Sequence, residues 1–151
     1  MSVGIGYDSH RFADGRRLIL GGIELDHPRG LAGHSDADAL THAVIDALLG
    51  AAGMGDIGTL FPDDEEAWRD ADSIDLLRTV VGTVSGRIVN VDATVICEQP
   101  RIGPYRAEME QTLAEAISAR VSVKATTNEG MGWIGRGEGI ACIAVASVDS
   151  E

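Results

Sequence analysis

Apolar and polar residues alternate at the start of the chain as they do along a strand. Val3, Ile5 and Tyr7 are separated by small residues and run into Asp8-Ser9-His10, a period of two that predicts a short β-strand. Arg17 to Leu25 (RLILGGIEL) reads as an irregular hairpin with Gly21-Gly22 as its turn or bulge. The period then lengthens. Leu40, Ala43, Val44, Ala47, Leu48 and Ala51 share one face of a helix, and Gly50 and Gly53 mark its end. Ser35, followed three residues on by Asp38, has the spacing of a capping box and is the expected N-cap. Residues 53–66 (GMGDIGTLFPDDEE) predict a long loop, and ordered loops of that length are usually functional or mobile. Ser73 to Val84 follows as a second helix, Ile88 to Cys97 as a strand, and Pro104 to Ala119 as a third helix with proline in its first turn. Val121 to Thr126 and Ile140 to Val148 are strands joined by a glycine-rich connection.

This order, β-α-β-α-β-β with a further helix before the second strand, predicts an α+β fold and one domain over residues 1–151. The expected sheet is mixed, mainly parallel with one reversed strand, and helices cover one face. A hydrophobic content of 44% and a mean hydropathy of +0.05 are enough for a core. Apolar runs fall short of the roughly 20 residues that cross a bilayer. The first residues lack the basic-then-apolar pattern of a secretory leader. Cys97 and Cys142 cannot make a disulfide framework. The expectation is a cytoplasmic protein with no membrane partner.

Charge narrows the partners. Twenty-four Asp and Glu against 12 Lys and Arg leave a net −12, which repels nucleic-acid backbones. Residues 1–66 hold twelve of the acids and only four of the bases, and all four histidines (His10, His27, His34, His42) lie in that stretch. Most of these acids suit a solvated face. Carboxylate and imidazole concentrated together also suit metal ligation.

Asp8 and His10, two apart on a strand, leave by the same face and offer an oxygen and a nitrogen to a metal such as zinc. The same pattern is common in surface turns. His42 lies off the apolar stripe of the first helix, with Asp38 and Asp46 four residues to either side. That ridge suits either a solvated face or a metal-bound imidazole backed by a carboxylate. Two nitrogens and one oxygen leave a tetrahedral position open, as in catalytic zinc sites. His34 and Ser35 precede the same helix, where unpaired N–H groups favour a phosphate, or simply cap it. Residues 130–135 (GMGWIG) match GxGxxG, but a strand follows where a dinucleotide site needs a helix. Lys124 to Glu129 (KATTNE) ends a strand with hydroxyls and a carboxylate, oxygen ligands for Mg²⁺ bridging phosphates or merely a strand end. Cys97 and Cys142 sit in apolar strands and read as inert thiols, and no serine elbow occurs. Any chemistry here is metal-assisted.

The segments GIGYDSHRF (4–12), GHSDADALTHAVIDALLGAAGMGDIGTLFPDD (33–64), KATTNEGMGWIGRGEGIAC (124–142) and, more loosely, CEQPRIGP (97–104) together resemble the 2-C-methyl-D-erythritol 2,4-cyclodiphosphate synthase family. These are the ring-closing enzymes of the non-mevalonate isoprenoid pathway. The resemblance implies that Asp8, His10 and His42 bind zinc, and that Glu129 holds a second ion, Mg²⁺ or Mn²⁺, between two phosphates. It implies that His34 and Thr127 stabilise the transition state. Asp8, Ser9, His10, His34 and Ser35 would touch the substrate, whose methylerythritol phosphate would lie against Asp56, Ile57 and Gly58 and against Phe61, Pro62, Asp63, Asp64 and Glu65. The cytidine would meet Cys97, Glu98, Gln99, Pro100, Arg101, Ile102 and Gly103, together with Thr126 and Thr127, with Asn128, Glu129, Trp133 and Arg136 completing the substrate set.

In the implied reaction the 2-phosphate of 4-diphosphocytidyl-2-C-methyl-D-erythritol 2-phosphate attacks the β-phosphorus, closes a ring and releases CMP. Such a displacement needs positioning and charge neutralisation rather than a protein nucleophile. The family is a homotrimer with active sites between subunits. Gly103, Arg101, Trp133 and Ile143 depart from residues often found in it, and Ile143, where some members have Glu, leaves no charge pair with Arg136. Residue chemistry alone leaves two rivals, a metal-dependent phosphohydrolase and a metal- or nucleotide-binding protein without turnover.

Overall fold

The computed structural model describes residues 1–62 and 64–150. The opening alternation extends into a long strand, β1 (Ser2–Ala13). The expected hairpin follows as β2 (Leu18–Leu20) and β3 (Ile23–Leu25), a separate two-stranded sheet. Gly21 and Gly22 turn it with φ of +60° and +75°, angles that side chains disfavour. A two-residue strand, β4 (Gly30–Leu31), pairs with the end of β1. Next come α1 (Ala39–Ala52), the single turn α2 (Ile57–Leu60), α3 (Ser73–Thr83), β5 (Arg87–Ile96), α4 (Arg106–Ile117), β6 (Arg120–Thr126), the single turn α5 (Gly132–Gly135) and β7 (Gly139–Asp149).

The main sheet has the order β4-β1-β7-β5-β6. Only β5–β6 is parallel; β4–β1, β1–β7 and β7–β5 are antiparallel, so the mainly parallel sheet expected from the sequence is corrected to a mainly antiparallel one. Parallel neighbours need a crossover, and α4 supplies one between β5 and β6. The last strand instead returns through the middle of the sheet, opposed to both neighbours. Alternation identified these strands but carries no information about their partners.

Three further expectations change. Ser35 does not cap α1. Ala37 has φ +57°, which stops the helix from starting before it, and the cap is Asp38, whose carboxylate accepts from Thr41 N and Thr41 Oγ1. Asp38 also accepts from Gly21 N and Gly22 N, so one fully buried carboxylate ties the hairpin turn to the helix. The loop expected at 53–66 contains α2 and leads into a 3-10 turn at Glu66–Trp68. Pro104 opens a 3-10 turn, Gly103–Tyr105, ahead of α4 rather than α4 itself.

Helices cover one face, as expected. That face of β1 carries Gly4, Gly6, Asp8 and His10 in strict alternation. A Cβ on Gly6 would lie 1.9 Å from the carbonyl oxygen of Ala43, and one on Gly4 2.0 Å from that of Ala47. The backbone of α1 therefore rests on the strand where side chains are missing, and the next two positions point toward the helix's first turns. The opposite face is bare: Val3 is 66% exposed, Ile5 71%, Tyr7 54% and Val145 39%.

Candidate functional site

Beyond the glycines, the packing of α1 on β1 brings His42 to Asp8 and His10. Asp8 Oδ2 lies 2.7 Å from His10 Nε2 and 3.2 Å from His42 Nδ1. One ligand atom from each of the three falls within 4.8 Å of the others, the one such cluster among the described residues. The outer nitrogens are engaged elsewhere: His10 Nδ1 donates to the carbonyl of Ala32 at 2.7 Å, and His42 Nε2 lies 2.7 Å from Ser73 Oγ and 3.2 Å from Ser35 Oγ. The inner nitrogens and a carboxylate oxygen thus converge on one point, the donor set that zinc takes with an open fourth position. Burial works to raise the Asp8 carboxyl, but hydrogen bonds and charge from both imidazoles outweigh it and hold it below its ordinary value. Burial likewise opposes protonation of His10, and the Asp8 hydrogen bond and charge outweigh it and raise the imidazole. The residues present fit a divalent metal.

The two acids expected behind His42 do other work. Asp38 is the helix cap described above. Asp46 accepts from the backbone N–H of Ile57 at 2.7 Å and pins α2 against α1. The supports of the imidazoles are a carbonyl and two hydroxyls, which no spacing along α1 reveals.

The cluster opens into a cleft of 570 Å³ lined by His34, Ser35, Ile57, Gly58, Phe61, Pro62 and Asp64 beside His10 and His42. His34 donates from Nε2 to the carbonyl of Glu65 at 3.0 Å, and Asp56 caps α2 through Thr59. Asp63 lies outside the described residues. The expected methylerythritol-phosphate residues that are described gather at or beside this cleft. Trp68 and Leu76 also line it and were missed by the sequence reading. Trp68 sits edge-on to Phe61 with ring centroids 4.8 Å apart; an aromatic within so acidic a loop was the available signal.

The expected cytidine residues form a second cleft, of 320 Å³. Cys97, Glu98, Pro100, Arg101, Ile102 and Gly103 line it with Thr126 and Thr127. Glu98 ties its walls together by accepting from Asn128 N at 2.7 Å. Gln99 lies on the same loop, and Glu129 is exposed beside Thr127, whose Oγ1 accepts from Glu129 N. Cys97 is buried, and burial and Glu98 push its thiol up to about 11. Ser9, Trp133 and Arg136 line a third cavity of 750 Å³, which His10 also lines, and Arg136 pairs there with Glu138 at 2.6 Å.

The first and second clefts share no lining residue. Asp8, Cys142, Val95 and Ala125 form one row across β1, β7, β5 and β6, so the metal cluster and Thr126 sit three strand spacings apart, about 14 Å.

A sequence model of the YgbB family matches residues 1–149. The chain belongs to the YgbB family. Its relatives include the 2-C-methyl-D-erythritol 2,4-cyclodiphosphate synthase of Symbiobacterium thermophilum, 54% identical over 98% of both chains. Among solved structures it resembles the bifunctional IspDF of Campylobacter jejuni, with TM-score 0.92 and 37% identity, covering 96% of this chain and 41% of that one. It also resembles the IspF of Plasmodium falciparum in a CDP complex, with TM-score 0.82 and 31% identity, covering 98% of this chain and 96% of that one. Within this YgbB-family chain, no helix among the described residues is long and apolar enough to cross a membrane.

Proposed function

We propose that this chain is a cytoplasmic 2-C-methyl-D-erythritol 2,4-cyclodiphosphate synthase, one domain over residues 1–151, acting in isoprenoid precursor biosynthesis. The carrying observation is the convergence of Asp8, His10 and His42 within 4.8 Å beside the first cleft, in a chain of the YgbB family. The substrate is 4-diphosphocytidyl-2-C-methyl-D-erythritol 2-phosphate. An oxygen of its 2-phosphate forms a bond to the β-phosphorus, the bond from that phosphorus to the bridging oxygen breaks, and the electron pair leaves with CMP.

Asp8, His10 and His42 hold zinc, and Glu129 contacts Mg²⁺ or Mn²⁺; when bound, these ions supply Lewis acidity and offset phosphate charge. His34, oriented by the Glu65 carbonyl, stabilises the transition state beside the closing ring, and Thr127 stabilises it at the diphosphate. Asp8, Ser9 and His10 touch the substrate, and Ser35, Asp56, Ile57, Gly58, Phe61, Pro62, Asp64 and Glu65 surround the methylerythritol phosphate and limit water. Cys97, Glu98, Gln99, Pro100, Arg101, Ile102, Gly103 and Thr126 take the cytidine, and Asn128, Trp133 and Arg136 complete the pocket. Held in this way, attacking oxygen and phosphorus react as neighbours, which accounts for the lack of a protein nucleophile.

The site is shared between subunits of a homotrimer. Two features support this: the metal cluster and the cytidine cleft lie on strands three spacings apart and share no lining residue in one chain, and an apolar sheet face (Val3, Ile5, Tyr7, Val145) is left bare. Purified protein with Mg²⁺ should convert the diphosphocytidyl substrate to CMP and the cyclic diphosphate, and a chelator should stop it. Intact substrate, or a linear phosphate product, would sink the proposal, the latter in favour of a phosphohydrolase. Mixing His42→Ala with Thr127→Ala subunits should restore activity that neither has alone.

A further inference from the structure

We infer that Ser73, backed by Asp36, is a positioning residue that fixes which nitrogen of His42 faces the metal. This rests on the reading of Asp8, His10 and His42 as a metal centre. It follows from counting protons.

Asp36 lies just ahead of α1 and reaches across to the first residue of α3. Its Oδ2 accepts from the backbone N–H of Ser73 at 3.0 Å, and its Oδ1 accepts from the Ser73 hydroxyl and from Asp38 N at 3.1 Å. A carboxylate only accepts, so the single proton of the Ser73 hydroxyl is directed at Asp36. Ser73 Oγ also lies 2.7 Å from His42 Nε2. With its proton committed, the hydroxyl oxygen is the acceptor in that contact. With a metal bound, His42 therefore carries its proton on Nε2 and turns the lone pair of Nδ1 to the centre it shares with Asp8 Oδ2, 3.2 Å away.

His10 is set by a different device. Its Nδ1 donates to the Ala32 carbonyl, which again has nothing to give, and so Nε2 is the nitrogen turned to the centre. The two imidazoles use opposite nitrogens, and each is locked by an acceptor-only group, directly for His10 and through Ser73 for His42. Ser73 is fully buried, so water does not substitute for it.

The same count assigns Ser35 a task. Its oxygen accepts from Ala37 N at 3.2 Å and lies 3.2 Å from His42 Nε2, longer than the Ser73 contact. Both contacts use the oxygen as acceptor, so the Ser35 proton is left to donate into the cleft that Ser35 lines.

The test measures zinc affinity by competition with a chromophoric chelator, and the His42 tautomer by ¹⁵N NMR of the zinc-loaded protein. Wild type should bind zinc with His42 protonated on Nε2 and ligated through Nδ1. Ser73→Ala should weaken zinc by about 10–100-fold and shift or broaden the His42 signals, without a comparable change in His10. Ser73→Thr, which keeps the hydroxyl, should restore both readouts. Asp36→Asn, whose amide can donate to the hydroxyl and reverse its direction, should reproduce the Ser73→Ala signature with the serine in place. If Ser73→Ala and Asp36→Asn bind zinc within about twofold of wild type with the wild-type His42 pattern, the inference is overturned while the metal centre stands. Failure of wild type itself to bind zinc, with His42→Ala no different, overturns both.

Discussion

Gly6→Ala adds one methyl group where α1 rests on β1, and it should cost both stability and metal. The new Cβ would lie 1.9 Å from Ala43 O, 2.7 Å from Ala47 N and 2.9 Å from Ala43 C, all backbone atoms that cannot swing aside. Relieving the shortest contact to 3.0 Å requires strand and helix to separate by at least about 1 Å. Overpacking of this kind costs about 1–3 kcal/mol, and for a chain of this size each kcal/mol lowers Tm by roughly 2–4 °C. The same movement carries His42, one residue before Ala43, away from Asp8 and His10. Metal–ligand distances are held within about 0.2 Å, so a 1 Å displacement should lower zinc affinity at least about tenfold. Gly50→Ala is the control at the same junction, because its Cβ would meet Gly4 Cα at an ordinary 3.6 Å. Replacing a helical glycine there should leave zinc affinity unchanged and raise stability by about 0.5–1 kcal/mol. Thermal melts by circular dichroism and zinc competition titrations read both quantities. A Gly6→Ala protein with wild-type Tm and zinc affinity would refute the claim that this contact positions the metal centre.

Three other outcomes are expected. Asp38→Ala strands the donors of Gly21, Gly22 and Thr41 in the interior and should cost at least about 3 kcal/mol, with Asp38→Asn milder; a loss under about 1 kcal/mol in urea melts would contradict the strap. Cys97, with its thiol at about 11 against an ordinary 9.0, should react with a disulfide reagent at pH 8 about 100-fold more slowly in native than in unfolded protein, and native rates matching unfolded ones would show the burial to be wrong. In metal-free protein the raised His10 stabilises below its ordinary 6.5, and that contribution is lost as pH rises through the raised value. The lowered Asp8 stabilises above 3.8 and loses its contribution as pH falls below it. Zinc displaces the His10 proton, so the Tm gap between zinc-loaded and chelated protein should widen from pH 5 to 8; a flat or narrowing gap would contradict the ligand assignment.

The net charge of −12 bears on both nucleic acid and phosphate, and gives different answers. It disfavours binding to polyanions as a long-range field. Over a few ångströms the balance differs, because Asp8 and the imidazoles converge in a donor set that fits a divalent cation, and polar groups of His34 and Ser35 line the adjoining cleft. Composition averages over the surface, whereas a site depends on a few atoms.

Local signals determined much by themselves. Alternation at Val3 to Tyr7 and the stripe from Leu40 to Ala51 located β1 and α1, because side-chain direction repeats every two or about 3.6 residues whatever the partner. The candidate ligands Asp8, His10 and His42 were readable as residue types at suggestive spacings. Their meeting was not, since it depends on glycines that let a helix sit on a strand, a close approach with no periodic signature. The sheet's antiparallel order, the cap at Asp38 rather than Ser35, and the departure of Asp46 toward Ile57 were likewise decided by tertiary structure. The sheet order and the Asp46 contact turn on hydrogen bonds between residues apart in the chain, and the cap on the left-handed Ala37 together with the tie from Asp38 to Gly21 and Gly22. Ser73 makes the point most sharply: in the sequence it is a serine at a helix start, and only the fold sets it between Asp36 and His42.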